Sequence, residues 1–143
     1  YDVVVCDWSS DVCSSDLTYN GWYTTDRLAD LQTSEWRVPL DKPLVFSEFG
    51  ADARAGFHDP VNGQKFSEEF QADYYRYTLK MADTLPSLRG MSPWILKDFR
   101  SPRRQNPDFQ QGWNRKGLIS ETGQRKAAFD VLAGYYQRKA AGQ

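Results

Sequence analysis

The sequence predicts an α/β fold in which short buried strands alternate with amphipathic helices. Leu44–Phe46 is an apolar run of strand length, and residues 88–96 predict a further strand. A segment whose apolar residues recur at helical spacing follows each of them, after a long loop. Pro43 precedes the first run and Gly50 follows it, as is typical of a strand bounded by turns. A run that is apolar on both faces indicates a parallel strand that is covered on both sides.

The first half of the chain predicts two strands and one helix. Residues 1–6 predict a buried strand, and residues 18–24 an aromatic loop at its C-terminal end. Residues 25–36 predict a short helix with apolar residues on one side. Residues 43–48 predict the second strand, and residues 49–65 a long loop of the kind that is usually functional or disordered.

The second half predicts a helix, a strand and a final helix. Ser67 is the predicted N-cap of the first of these helices, which Pro86 ends. Its sheet-facing side chains are predicted to be Phe70, Tyr74, Tyr77 and Met81. Residues 88–96 predict a strand, residues 99–117 a second long loop, and residues 124–138 the last helix. The inward residues of that helix are predicted to be Ala128, Leu132, and Tyr135 or Tyr136.

Residues 7–17 fit none of this pattern. Their serines and aspartates have neither helical nor strand period, and they interrupt an obvious strand, Val3–Cys6. The segment resembles the in-frame translation of a common short-read sequencing adapter. The alternative is a natural loop rich in serine and aspartate. We leave residues 7–17 out of the reasoning about function, as one leaves out an expression scar.

The composition excludes several classes of function. The net charge is −1, which predicts no nucleic-acid partner, and no apolar run reaches the roughly 18 residues of a membrane span. Of the two cysteines, Cys6 lies in a predicted buried strand and Cys13 in the odd segment, so no disulfide framework is expected. No phosphate loop or metal-ligand cluster occurs, and we expect neither a cofactor nor a metal. The compartment stays open.

Glu48 is the most informative residue of the chain. It ends the predicted strand 43–48, immediately before the turn at Gly50. In a barrel of parallel strands, the C-terminal ends of the strands carry the functional groups. A carboxylate at this position therefore predicts a catalytic or binding role, and a merely solvated glutamate at the strand end is the alternative.

Five segments occur in order between about residue 18 and about residue 138. They are Tyr19–Tyr23, Ser47–Asp52, Pro93–Phe99, Asn114–Leu118 and Lys126–Phe129. Together they resemble the C-terminal part of the catalytic barrel of glycoside hydrolase family 2, and most of all a bacterial β-glucuronidase. The resemblance implies a (β/α)₈ barrel, which needs about 250 residues. The chain of 143 residues is therefore expected to be a fragment, a partial barrel of roughly the last three βα units.

The resemblance also implies catalytic roles. Retaining glycosidases use two carboxyl groups, one as nucleophile and one as acid/base. By resemblance Glu48 is the nucleophile, Tyr19 donates a hydrogen bond to it, Tyr23 lines the pocket, and Trp94 is the sugar platform. The family's acid/base is a glutamate after an asparagine, and no Asn-Glu pair occurs in this sequence. The chain alone is therefore expected to be inactive and, with unpaired sheet edges, poorly soluble.

The resemblance assigns the choice of sugar to Asn114 and Lys116, which in β-glucuronidases contact the sugar carboxylate. Gln110 stands where those enzymes have an arginine, and Arg100 is the expected substitute. The neighbouring loop arginines, expected to be solvated, are Arg103 and Arg104. The implied partner is a β-glycoside or glucuronide substrate. A β-galactosidase and a non-catalytic carbohydrate-binding homologue stay open alternatives, and so does a homo-oligomeric parent protein.

Overall fold

The computed structural model of this chain describes residues 43–142, which form an α/β unit with four strands and two helices. In chain order these elements are β1 (Leu44–Phe49), α1 (Glu68–Ala82), β2 (Leu88–Pro93), β3 (Phe99–Arg100), β4 (Trp113–Asn114) and α2 (Ala127–Ala140). The α/β class predicted from the sequence is confirmed for this part of the chain. The predicted elements within residues 1–36, and the odd segment 7–17, lie outside the described residues.

Strands β1 and β2 are parallel neighbours, and α1 is the connection between them. Leu44 is opposite Leu88, and Phe46 is opposite Met91. The helices cover one face of this pair, where Phe46 and Phe49 are buried in the core. Val45 points to the other face and is 56% exposed. The prediction that β1 is covered on both sides is therefore wrong for Val45. The face with Phe49 is covered by α1, whose Tyr75 ring lies 5.4 Å from that of Phe49.

Helix α1 begins and ends as the sequence predicts. The Ser67 side chain accepts a hydrogen bond of 3.1 Å from the backbone N–H of Phe70, which satisfies one of the free donors at the helix start. The helix ends at Ala82, before Pro86. The predicted inward residues Phe70, Tyr74 and Met81 are buried, and Tyr77 is partly buried against them.

Strand β2 is shorter than predicted, ending at Pro93 instead of residue 96. After Trp94 the backbone changes partner: the Ile95 N–H donates to the Lys116 carbonyl over 3.2 Å, and the Leu118 N–H donates to the Ile95 carbonyl over 3.0 Å. The predicted loop 99–117 contains two short strands, which form the antiparallel pair β3–β4. This hairpin places residues 114–118 beside the end of β2.

Helix α2 begins at Ala127 and not at residue 124. The Ser120 N–H donates to the Gln124 carbonyl over 2.8 Å, and the Lys126 N–H donates to the Leu118 carbonyl over 2.9 Å, so the residues before the helix form a turn. Of the two candidate inward tyrosines, Tyr135 is buried and Tyr136 is exposed. Within residues 43–142, neither helix is long and apolar enough to cross a membrane.

Candidate active site

The C-terminal ends of β1 and β2 meet at Glu48 and Trp94. Glu48 is half-buried and is the last residue but one of β1. The Trp94 N–H donates to the Phe49 carbonyl over 2.7 Å. A side chain at Gly50 would collide with the Trp94 carbonyl, so only glycine allows this close approach. Trp94 is 36% exposed and meets Phe99 edge-on, with 6.1 Å between ring centroids. The backbone that follows Glu48 thus lies beside that of Trp94, whose indole ring is partly accessible.

The segment Asn114–Lys116 forms the second side of the site. All three side chains are buried, although each is polar or charged. The Asn114 side-chain oxygen accepts a hydrogen bond of 3.0 Å from the Lys116 N–H. The Arg115 guanidinium instead contacts the carboxylates of Asp98 and Glu121. The segment therefore combines a buried amide and a buried ammonium group with an arginine that serves an internal ion pair.

Lys116 is electrostatically linked to Glu48. Burial lowers the pKa of Lys116, while the negative charges of Asp52 and Glu48 act in the opposite direction. Arg104 adds to the lowering, because its positive charge disfavours a second cation nearby. A lysine held among carboxylates in a partly dry site can bind an additional anion through charge-assisted hydrogen bonds.

A buried carboxylate, Asp52, organises the backbone between these groups. Its Oδ1 accepts hydrogen bonds from the Arg115 N–H at 3.0 Å and from the Gln110 side-chain amide at 3.5 Å. Gln110 therefore contacts the same carboxylate that holds the backbone of Arg115, next to Lys116. Sequence reasoning gave Asp52 no role.

The loop arginines do not all follow the sequence expectation. The Arg100 guanidinium carbon lies 5.0 Å from the centroid of the Trp113 ring, a cation–π contact on the β3–β4 hairpin. Arg103 is exposed, as expected, whereas Arg104 is half-buried and close enough to Lys116 to influence its pKa. The predicted site residues Tyr19 and Tyr23 lie outside the described residues.

The two long loops beside the site pack on each other. Phe66 stacks on Phe109 with 4.8 Å between ring centroids, and Phe57 lies 5.1 Å from Phe109. The Arg54 guanidinium also donates to the Asp108 carbonyl over 2.7 Å. The second loop is therefore held by aromatic burial as well as by its hairpin ends.

His58 holds the first loop to α1. Its Nδ1 lies 2.9 Å from Glu69 Oε1, and this hydrogen bond raises the pKa of His58. The imidazole is exposed, and none of its described contacts involves Glu48 or Trp94. This geometry fits the structural role that a lone loop histidine predicts.

Three buried polar residues that sequence reasoning missed brace the site. The Gln71 amide donates to the carbonyls of Ala51 at 2.8 Å and Gly117 at 3.1 Å, and so joins the end of β1 to the lysine segment. Asp98 and Lys126 form a buried ion pair of 2.8 Å under the same segment. Lys126 could not be singled out from the sequence, because the predicted helix begins at residue 124. Only the structure places Lys126 directly before α2, where a lysine contradicts the usual N-cap preference.

Among residues 43–142, no group of histidine, cysteine, aspartate and glutamate side chains is arranged to hold a metal ion. What the site does contain is a strand-end carboxylate, an accessible indole ring, and a buried amide and ammonium group.

Several proteins that are similar to the chain are glycoside hydrolases. No profile of a known protein family matches the chain. The β-glucuronidase of Streptococcus agalactiae is 32% identical over 118 residues, which cover 76% of this chain and 19% of the relative. The chain is thus similar to β-glucuronidases over about three quarters of its length, in agreement with the resemblance that its sequence motifs carry.

Solved structures agree with this relationship. A β-glucuronidase from Faecalibacterium prausnitzii superposes with a TM-score of 0.62 at 28% identity, over 82% of this chain and 20% of that one. A family 2 β-galacturonidase from Eisenbergiella tayi, solved with bound galacturonate, superposes with a TM-score of 0.63 at 25% identity. The match covers 82% of this chain and 22% of that one. The chain spans about a fifth of the length of the curated relatives it matches.

Proposed function

We propose that this chain is the C-terminal part of the (β/α)₈ catalytic barrel of a retaining exo-β-glycosidase that prefers uronic acids, most similar to a β-glucuronidase. The observation that carries the proposal is a buried lysine, Lys116, whose charge interacts with that of Glu48 at the end of β1. The similarity to β-glucuronidases over three quarters of the chain supports it. We call the whole enzyme the parent enzyme.

In this proposal Glu48 attacks the anomeric carbon and displaces the aglycone. A covalent glycosyl-enzyme forms, and water then hydrolyses it with retention of configuration. The second carboxyl group, at about 5–5.5 Å, protonates the leaving oxygen. We assign it to a glutamate outside these 143 residues, since the sequence has no Asn-Glu pair. The chain alone is then inactive.

Lys116 and Asn114 are proposed to bind the carboxylate of the sugar, and Trp94 to support its ring. An ammonium group and an amide together supply charge-assisted and neutral hydrogen bonds to a carboxylate. The similar β-galacturonidase with bound galacturonate also favours a uronic acid. Glucuronate and galacturonate differ at C4, so both remain candidates for the sugar.

A β-galactosidase is the second candidate, and Gln110 favours it. A neutral amide replaces the expected arginine there and donates to Asp52 over 3.5 Å, so it adds no positive charge to the site. The two candidates differ in the substrate group that Lys116 would bind. In a uronidase it would bind the sugar carboxylate, and in a galactosidase it would bind sugar hydroxyl groups.

The test begins with the parent gene. We would amplify and resequence the source locus through the codons for residues 1–24 and upstream. The proposal predicts an upstream Asn-Glu pair and the absence of codons 7–17. The parent enzyme is then assayed with the 4-methylumbelliferyl β-glucuronide, β-galacturonide and β-galactoside. We expect a uronide to be preferred by about 10²-fold or more in kcat/KM, since a site built around a charged hydrogen bond discriminates strongly.

Two results would contradict this proposal in different ways, and a third would refute only the interpretation of residues 7–17. A preference for the galactoside makes the enzyme a β-galactosidase. Sugar binding without hydrolysis, together with a missing Asn-Glu pair, indicates a non-catalytic homologue. Persistence of codons 7–17 in genomic DNA refutes the adapter interpretation but leaves the assignment of Glu48 untouched.

The activity on uronides should fall at a lower alkaline pH than it would if Lys116 had the pKa of a solvent-exposed lysine. Burial lowers the pKa of Lys116, so its ammonium form, which binds the carboxylate, is present below that pKa and disappears as the pH rises through it. The pH profile of kcat/KM reports groups of the free enzyme and measures this directly. An alkaline limb that is identical for a glucuronide and its uncharged methyl ester would assign the titration to another group.

A further inference from the structure

Lys126 occupies a position where a lysine is locally unfavourable. It is the N-cap of α2, and its side chain makes no capping hydrogen bond. Small polar residues are preferred at this position, and a cation is repelled by the positive end of the helix dipole. The side chain is also almost completely buried, with 1% of its residue surface exposed. When a residue is unfavourable for its own helix and forms no capping contact there, we expect its side chain to stabilise another part of the structure.

The three donors of the Lys126 ammonium group are all used. Nζ donates to the carbonyl of Ala53 at 2.6 Å, to Asp98 Oδ1 at 2.8 Å and to the carbonyl of Arg115 at 2.9 Å. Ala53 lies in the segment that follows β1, where it forms an isolated bridge with Phe66. A single ammonium group therefore joins the backbone after the proposed nucleophile to the backbone just before Lys116.

Asp98 holds the other side of Lys116. Its Oδ1 accepts the N–H of Gly117 at 2.8 Å, and its Oδ2 lies 3.4 Å from Arg115 Nη1. A methyl group at Gly117 would collide with Asp98 and with the Ile119 carbonyl, so the backbone has little room to move. The pair Lys126–Asp98 therefore clamps the residues on both sides of Lys116.

Stability alone is a poor reason to keep such a pair. Burial lowers the pKa of Lys126 and raises that of Asp98, and each partner's charge opposes the shift of the other. Both desolvation penalties offset much of the attraction, and apolar residues of similar volume often stabilise a core equally well. What apolar residues cannot do is fix three backbone groups in one geometry.

We propose that Lys126 and Asp98 are positioning residues, which hold Lys116 at a fixed place relative to Glu48 and thereby set the preference for a charged sugar over a neutral one. The inference rests on the proposed function. It adds that carboxylate selectivity depends on two residues that do not touch the substrate.

The test uses the parent enzyme and two substrates that differ only in charge: a 4-methylumbelliferyl β-glucuronide and its methyl ester. Lys126→Met leaves Asp98 buried without its partner and can impair folding. The double variant Lys126→Met/Asp98→Asn therefore accompanies it, since asparagine keeps an acceptor for the Gly117 N–H. Lys139→Met is the matched control, because Lys139 forms a 2.8 Å ion pair with Asp83 on the exposed side of α2.

We expect the double variant to raise KM for the glucuronide about five- to tenfold, since a small displacement of a binding group is felt strongly. The kcat for the glucuronide and the kcat/KM for the ester should stay within about twofold, because the ester does not need the lysine charge. The control should behave as the unmodified enzyme. A folded double variant with unchanged KM, or equal losses on both substrates, overturns the inference. Failure of the unmodified parent enzyme to hydrolyse glycosides overturns instead the proposed function on which it rests.

Discussion

Replacing Glu48 with glutamine in the parent enzyme should lower kcat by at least about 10⁴-fold, as removal of a catalytic nucleophile does in other enzymes. Glutamine has nearly the same volume and hydrogen-bonding reach, so the half-buried position at the end of β1 should accept it. An amide, however, cannot attack the anomeric carbon, and the glycosyl-enzyme cannot form. Measured kcat for the glucuronide, with the melting temperature as a folding check, tests the expectation.

The matched control is Glu69→Gln. Glu69 is also a partly exposed glutamate, but it holds His58 and the Asp59 N–H at the start of α1, outside the proposed site. This variant should keep kcat within about threefold, in line with surface changes away from a site. If Glu48→Gln retains most of its activity while folded, Glu48 is not the nucleophile, and the assignment of β1 as the catalytic strand fails.

Replacing Lys116 with methionine should lower kcat/KM for the glucuronide by about 10- to 100-fold, which corresponds to one charge-assisted hydrogen bond of about 1.5–3 kcal/mol. Methionine fills a similar volume without the charge. The loss should be mainly in KM, because the sugar carboxylate is held in the ground state as well as in the transition state. The methyl ester of the same glucuronide should be affected by less than about threefold.

Lys97→Met provides the control for this prediction, since Lys97 is an exposed lysine on the neighbouring segment. It should change neither substrate's kinetics. Equal losses on the charged and the uncharged substrate after Lys116→Met would mean that Lys116 supports the fold of the site and does not recognise a carboxylate. That result would favour the β-galactosidase over the uronidase as the proposed function.

The sequence predicted the local structure well where a single segment determines it. The cap at Ser67, the inward face of α1 and the strand ending at Glu48 follow from hydrophobic spacing and turn residues, which act over a few neighbours. The sequence did not predict that β2 ends as early as Pro93 or that α2 starts as late as Ala127. Both depend on backbone hydrogen bonds with residues 116–118 and 120, which local propensity does not contain.

The sequence allowed candidate site residues to be named, but it did not reveal the buried polar residues that hold them in place. Glu48, Trp94 and Lys116 could be named because their motifs resemble those of related enzymes. Asp52, Gln71 and the buried pair beneath Lys116 could not, since buried polar contacts across 20 or more residues leave no periodic signal. Lys126 is no exception, because its conflict with N-cap preference appears only once the structure places the start of α2 at Ala127.

The central claim is that Glu48 forms the covalent intermediate of a retaining glycosidase. The most direct test incubates the parent enzyme with 2-deoxy-2-fluoro-β-glucuronyl fluoride, which forms the glycosyl-enzyme quickly and hydrolyses slowly. Peptide mass spectrometry should find one added fluoroglucuronyl group, on the peptide that contains Glu48, and none in the Glu48→Gln variant. An adduct on another carboxylate, or inactivation without any adduct, would contradict the account.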